Sequence, residues 1–159
     1  MKSEGAAITR ILTLLGAALS VVVAGASQGT SHRPDVRFLP TPDNVVDAML
    51  ELAHVTASDI VFDLGSGDGR IPIAAAKKYG VTDRVTFVHG DLFQSDISQA
   101  SVVTLFLLPS LNMQLIPKFK RELRPGARIV SHHFGMGDAW LPDAEQNISG
   151  LMIYLWAIR

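Results

Sequence analysis

The stretch Val61-Phe62-Asp63-Leu64-Gly65-Ser66-Gly67-Asp68-Gly69 constrains the fold of this chain more than any other. A short apolar run, Ile60 to Leu64, stops abruptly at three alternating glycines. Such a run, bounded by turn residues, reads as a buried strand. Arg70 to Tyr79 then follows as a helix, with Pro72 in its first turn and Gly80 beyond its end. A strand that turns sharply into a helix is the unit of an α/β sheet. Glycines at that turn let the backbone bend and approach a ligand closely.

The rest of the chain repeats the alternation. Thr41-Pro42-Asp43 starts a helix, with Thr41 as cap, Pro42 at the first helical position and Asp43 complementing the dipole. Val45, Val46, Met49, Leu50 and Ala53 recur behind it at helical spacing. Arg84 to His89 is a second strand, and Val102 to Leu108 a third, apolar as in a strand covered on both faces. Leu111 to Leu123 is helical, kinked or restarted at Pro117. Pro125-Gly126 is a turn, Ala127 to Ser131 a fourth strand and Leu151 to Ile158 a fifth. The pattern predicts an α/β domain with a mainly parallel sheet over residues 41–159.

Residues 1–40 read differently. Lys2 and Arg10 precede an apolar run of 16 residues, Ile11 to Ala26, that ends in the small-x-small triplet Ala24-Gly25-Ala26. The length falls between a signal-peptide core, about 7–15 residues, and a membrane-spanning helix, about 20. Residues 1–26 are therefore expected to be a signal peptide cleaved after Ala26, or an uncleaved anchor. The chain would then be exported or membrane-attached, facing the cytoplasm in the anchored case. A buried N-terminal helix is the remaining reading. Residues 27–40, without periodicity, form a linker. A net charge of -1 and the absence of a basic run interleaved with aromatics argue against a nucleic-acid partner. There is no cysteine, which excludes disulfides, zinc–thiolate sites and cysteine nucleophiles, and no His-Glu pattern points to a metal.

Two ligands compete for the glycine turn. A dinucleotide fingerprint is G-x-G-x-x-G, but the third glycine comes one residue early, at Gly69, and Arg70 fills the fingerprint position. A pyrophosphate also has little use for the acids Asp63 and Asp68. S-adenosyl-L-methionine (SAM) carries an ammonium and a sulfonium and no phosphate, so an acidic glycine loop suits it better.

At these residues the chain resembles class I SAM-dependent methyltransferases. More narrowly, it resembles the bacterial and mitochondrial group that includes the lysine methyltransferase of the ATP synthase c subunit. The resemblance covers Phe38 to the C-terminus. It is carried by Leu39-Pro40-Thr41-Pro42, Asp63 to Ile71, Gly90-Asp91-Leu92-Phe93, Val103 to Pro109, Leu123 to Gly126, Ile129 to His132, and Gly137-Asp138 with Trp140, Pro142 and Asp143. It implies a Rossmann-like fold and N-methylation of a protein lysine or other amine. It also implies that Asp63, Gly65, Ser66, Gly67, Asp68 and Gly69 hold the methionine part of SAM, with Asp91 and Leu92 near the adenine. Leu107-Leu108-Pro109 would face the methyl group, which makes Leu107 and Pro109 catalytic candidates.

One departure stands out. Relatives follow the first helix with a strand ending in a ribose-binding acid, then a second helix. Here Tyr79-Gly80 leads almost directly into Val81-Thr82-Asp83-Arg84, so the fold is shortened by one strand and one helix. The spacing predicts that Arg84 to His89 closes the gap by pairing directly with Ile60 to Leu64. Asp91, 22 residues after Gly69, would then serve the ribose hydroxyls, near the roughly 20 residues usual for such an acid.

His132 follows the fourth strand and is the candidate for taking a proton from an attacking amine. The bland alternative is a strand-end histidine bonded to the backbone. Trp140 reads as core in preference to substrate wall. The competing function is a degenerate domain that keeps the fold without turnover.

Overall fold

A computed structural model of the chain describes Ser20–Ala24 and residues 40–159. The basic start, the rest of the apolar run, Leu39 and the linker up to it lie outside the described residues. The described elements are β1 (Ser20–Ala24), α1 (Asp43–Leu52), β2 (Ile60–Leu64), α2 (Arg70–Lys78), β3 (Val85–Val88), β4 (Val102–Leu105), α3 (Pro109–Glu122), β5 (Arg128–His132), β6 (Ala144–Ile148) and β7 (Leu151–Ala157). They build one sheet in the order β3-β1-β2-β4-β5-β7-β6. The first five strands in that order run parallel; β7 is antiparallel to both β5 and β6.

Side-chain alternation builds the layers. On β2, Val61 joins a core with Val46, Met49 and Ala75 of α1 and α2, whereas Phe62 joins a second core with Leu115 and Phe119 of α3. The same split separates Val102 from Val103 on β4, and Val130 from Ile129 on β5. Successive strand residues point to opposite faces, so a sheet covered on both sides needs near-continuous apolar strands, and these are apolar apart from Arg128 at the start of β5 and the polar residues Asp63, Thr104, Ser131 and His132 toward the strand ends.

The sequence-based pairing of the second strand is corrected. Val85–Val88 does not lie beside Ile60–Leu64, because β1 stands between them. Val21 pairs with Val61 on one side and Val85 on the other. The physical reason is in the sequence. Val21-Val22-Val23 is a β-branched triplet, and such residues fit a pleated, half-buried surface. Placed centrally, the triplet satisfies backbone groups of two strands at once. β1 falls within the apolar run Ile11 to Ala26 that reads from the sequence as a leader, while Gly25 and Ala26 lie outside the described residues. The shortened chain thus regains a strand from its own N-terminal segment.

Three smaller differences follow. Pro42, not Thr41, is the helix N-cap residue of α1, and no side-chain cap bond is made. α3 continues through Pro117 as one helix. β6 was not foreseen, because it is polar and exposed at its centre; the signal for it is Ser149-Gly150, whose φ angles of 54° and 92° form the tight hairpin turn to β7. Among the described residues, no helix is long and apolar enough to cross a membrane.

Candidate active site

The parallel strands end together at one edge of the sheet, and α/β sheets bind ligands at that edge. Val61, Val102 and Val130 mark the α1/α2 face. Two residues further along each strand, on that same face, stand Asp63, Thr104 and His132. All three are buried. Asp63 is directly opposite Thr104 in the sheet register, and the Thr104 hydroxyl donates to Asp63 Oδ1 at 2.6 Å. Asp63 Oδ2 is buried and has no partner among the described residues. Burial pushes its carboxyl up to about 7; the Thr104 bond works against this and the charge of Asp68 adds to it.

Asp59 on the opposite edge shows what a structural acid looks like here. Burial would raise it too, but bonds from Ser101 and Thr56 and the charge of Arg128 outweigh that and hold it low. Its carboxylate binds the Arg128 guanidinium, the Ser101 hydroxyl at 2.7 Å and the Thr56 amide at 2.8 Å. Asp59 therefore ties β2, β4 and β5 together. Asp63 meets no cation among the described residues, which is the state of a carboxylate arranged to meet a cationic ligand.

Beside Asp63 the glycine loop turns into α2. Gly65, Gly67 and Gly69 have φ of 81°, 55° and 79°, the left-handed region that side chains avoid. The loop is also tight. A Cβ on Gly65 would come within 2.6 Å of Leu107 Cδ2, and one on Gly69 within 2.5 Å of the Phe87 ring. Ser66 is buried. Asp68, half-exposed, pairs with Arg70 at 2.6 Å, and the Arg70 bonds hold its carboxyl below the usual range. Leu107 thus lies against the loop, and Pro109 starts α3 exposed at the same edge.

His132 closes the acceptor side. Its Nδ1 lies 3.1 Å from the Thr41 hydroxyl, its Nε2 is buried without a partner among the described residues, and its ring sits 4.2 Å from the Phe106 ring. Burial, helped by neighbouring His133, lowers it to about 4, so the imidazole is neutral at pH 7. The chain beyond it is strained, with His133 at φ 66°, and such strain gathers at functional sites. On the other face, fully buried Asn112 donates to the Phe134 carbonyl at 3.0 Å and steadies this loop.

Asp91 and Leu92 are placed differently from the expectation. Asp91 follows β3, two strands from β2. Its carboxylate accepts from the Phe93 amide at 2.8 Å and from Gln94 Nε2 at 3.0 Å, closing its own turn. Leu92 is buried in the α3-side core. The strand beside β2 ends instead at Ala24, which is no acid. Trp140 is partly buried and packs against the core beside Trp156, with Lys120 Nζ 5.0 Å from its ring centroid. Thr104, Thr41 and Phe106 were missed from the sequence. Thr104 alone left a trace, as the single polar residue in an apolar strand.

Comparison with known proteins agrees with this architecture. A family model described as the ANTKMT methyltransferase domain matches residues 75–144. The chain is 41% identical to a "Protein-lysine N-methyltransferase" of Saccharolobus islandicus (strain REY15A), over 80% of this chain and 97% of that one. It is 31% identical to the human lysine N-methyltransferase named for the c subunit of ATP synthase, over 67% of this chain but 54% of the relative's length. A crystal structure described as an RNA methyltransferase from Salinibacter ruber, in complex with S-adenosyl-L-homocysteine, superposes with a TM-score of 0.72 at 45% identity. That match covers 76% of this chain and 94% of the other. The archaeal match runs over 157 positions yet takes up 80% of 159 residues, a shortfall of about 30 positions, the scale of one strand-helix unit.

Proposed function

Since this chain belongs to the family of SAM-dependent methyltransferases that contains the archaeal protein-lysine N-methyltransferase, we propose that its site methylates the side-chain amine of a lysine in a protein acceptor. One observation carries the site assignment: the buried, unpartnered Oδ2 of Asp63 beside three left-handed glycines. The residues fit the amino-acid half of SAM. The carboxylate answers its ammonium, and the glycines carry no side chains of their own at the turn, with Leu107 and Phe87 packed against Gly65 and Gly69. When bound, SAM supplies an electrophilic methyl on a sulfonium, so the remaining requirement is in-line placement of the acceptor.

The chain's own groups meet that requirement in three ways. Asp63 is held clear of the cations of the described residues. Leu107 packs the loop and, with Leu108 and Pro109, lines the strand end. His132 Nε2, neutral at pH 7, can accept a hydrogen bond from the N–H of an acceptor amine that has already lost its ammonium proton to solvent, which aims the nitrogen lone pair at the methyl. The names of the relatives point to different acceptors, protein lysine or RNA. A net charge of -1 favours protein.

A second reading, a SAM-binding domain without turnover, draws on the ribose side. Ala24 ends the strand where relatives carry an acid, and Asp91 is occupied in its own turn. Calorimetric titration with SAM, followed by mass spectrometry of lysine-containing acceptors, tests both. Binding with no methyl transfer to any protein acceptor selects the second reading. Equal SAM affinity in Asp63→Asn removes the site assignment.

For location, export and this sheet are competing uses of one segment. Cleavage after Ala26 would remove β1. With β1 in the sheet, the apolar run before it shrinks to Ile11–Leu19, nine residues, against about 20 needed to span a bilayer. We read the N-terminal segment as retained by the folded enzyme.

A further inference from the structure

A continuous polar connection leads from the glycine loop to the acceptor side of the sheet. Arg70 Nη2 donates to Asp68 Oδ2 at 2.6 Å, and Arg70 Nε to both oxygens of that carboxylate at 3.1 Å. The other terminal nitrogen, Nη1, donates to the backbone carbonyl of Thr41 at 2.9 Å. Thr41 is 3% exposed, and its hydroxyl meets Nδ1 of His132, 91 residues away and also 3% exposed.

We propose that Thr41 and Arg70 are positioning residues. Thr41 holds His132 in the tautomer whose Nδ1 carries the hydrogen, so that Nε2 presents its lone pair to the acceptor amine, and Arg70 fixes Thr41 relative to the cofactor loop. The inference rests on the reading of His132 Nε2 as the hydrogen-bond acceptor for the substrate amine.

A neutral imidazole has one N–H and one bare nitrogen. With the hydrogen on Nδ1, the N–H donates to Thr41 Oγ1 and the buried Nε2 is the bare nitrogen. With the hydrogen on Nε2, a buried donor is left without an acceptor, and orphaned buried N–H groups are the rarest kind. A second nitrogen with a fixed partner is how histidine sites choose a tautomer. A hydrogen bond from the N–H of the neutral acceptor amine to Nε2 leaves the ring neutral and the Nδ1–H bond to Thr41 intact. The Asp68–Arg70 pair is partly exposed, so its contribution to stability is small. Its role is geometric. It links the loop that would contact SAM to the segment that orients the histidine.

The test uses the full chain with ¹⁵N-labelled histidine, and His132→Gln assigns the ring signals. The parent should show His132 protonated at Nδ1 and bare at Nε2. Thr41→Val should shift the tautomer ratio at least fivefold, Thr41→Ser should keep it, and Arg70→Ala should give a mixture. SAM affinity should stay within threefold in the Thr41 variants. With poly-L-lysine as the acceptor probe, kcat should fall tenfold or more in Thr41→Val and recover in Thr41→Ser. If Thr41→Val does not fold, Thr41→Ala gives the same reading. A parent protonated at Nε2, or a tautomer that ignores Thr41, overturns the proposal. Full transfer by His132→Gln alongside a Thr41-dependent tautomer removes the reading of His132 as the amine's hydrogen-bond acceptor and leaves the tautomer control by Thr41 intact.

Discussion

Deleting residues 1–26 should unfold this domain, although the deletion has the form of ordinary leader processing. β1 forms four register pairs with β2 and four with β3. Eight pairs correspond to roughly eight ladder hydrogen bonds, each contributing about 0.5–1.5 kcal/mol net, so the ladder alone is worth about 4–12 kcal/mol. A domain of this size has a total stability of about 5–15 kcal/mol. Loss of the strand also leaves two parallel edges facing each other across a gap, with α2 above it. Val22→Pro is the milder perturbation. It removes a donor in the middle of an internal strand, where proline is not tolerated. Urea unfolding followed by circular dichroism measures both. The deletion should give no cooperative transition, and Val22→Pro a lowered midpoint at unchanged slope, corresponding to a loss of about 3 kcal/mol or more in unfolding free energy. A 27–159 chain with the parent's midpoint and slope would refute the internal strand.

The pH dependence of stability separates the two buried site groups. Asp63, raised to about 7, holds a proton that the unfolded chain lacks, so its contribution falls as pH rises from 5 to 6.5. His132, lowered to about 4, stays neutral while the unfolded histidine is charged, so its contribution rises over the same interval. Each slope is up to about 1.4 kcal/mol per pH unit. Asp63→Asn should therefore gain stability with pH and His132→Gln should lose it; parallel profiles in chemical denaturation would discredit both assignments. Gly65→Ala sets a methyl at φ 81° and 2.6 Å from Leu107, costing about 1–3 kcal/mol, and calorimetry should show weakened SAM binding in a folded variant. Asp91→Ala should cost about 1 kcal/mol through its lost turn bonds while changing SAM affinity less than threefold; a hundredfold loss would restore Asp91 to the ribose.

What was legible in the sequence had a local cause. The glycine turn, the strands covered on both faces and the helix α2 announce themselves through composition and period. His132 draws notice as a residue after a strand, where α/β sheets bind ligands, and Leu107 only through the family resemblance. What was not legible depended on distance. Thr41 looks like a helix cap because Pro42-Asp43 follows it, and only the folded chain reveals that its hydroxyl is committed to His132. The apolar run at residues 11–26 satisfies the requirements of a leader. The same Val21-Val22-Val23 satisfies those of a strand, and local pattern has no means of choosing between them. The error over β3 followed, since a gap with no visible occupant was closed with the nearest strand.

On the proposed reading, the shortened topology leaves one half of the site in place. Asp63, Thr104 and His132 stand on the adjacent strands β2, β4 and β5, with Leu107 just past the end of β4, and of these strands only β2 borders β1. The nucleoside half falls beyond β2, where β1 now stands. There the chain supplies a strand but no acid. Its last residue, Ala24, pairs with Val88, one step past the level at which Val23 meets Asp63. Losing a buried partner for a polar ligand group costs about 1–3 kcal/mol, roughly ten- to hundredfold in affinity. The chain should therefore bind SAM weakly while keeping the transfer geometry, with a raised KM for SAM and an unaffected kcat. Restoring the acid makes this measurable as a gain. Ala24→Asp should tighten SAM binding about tenfold, whereas Ala24→Asn should gain less, because a carboxylate accepts from two hydroxyls at once. Methionine, which has no ribose, should bind parent and variant alike. If Ala24→Asp leaves SAM affinity unchanged, or tightens methionine equally, β1 does not stand in for the missing strand at the ribose.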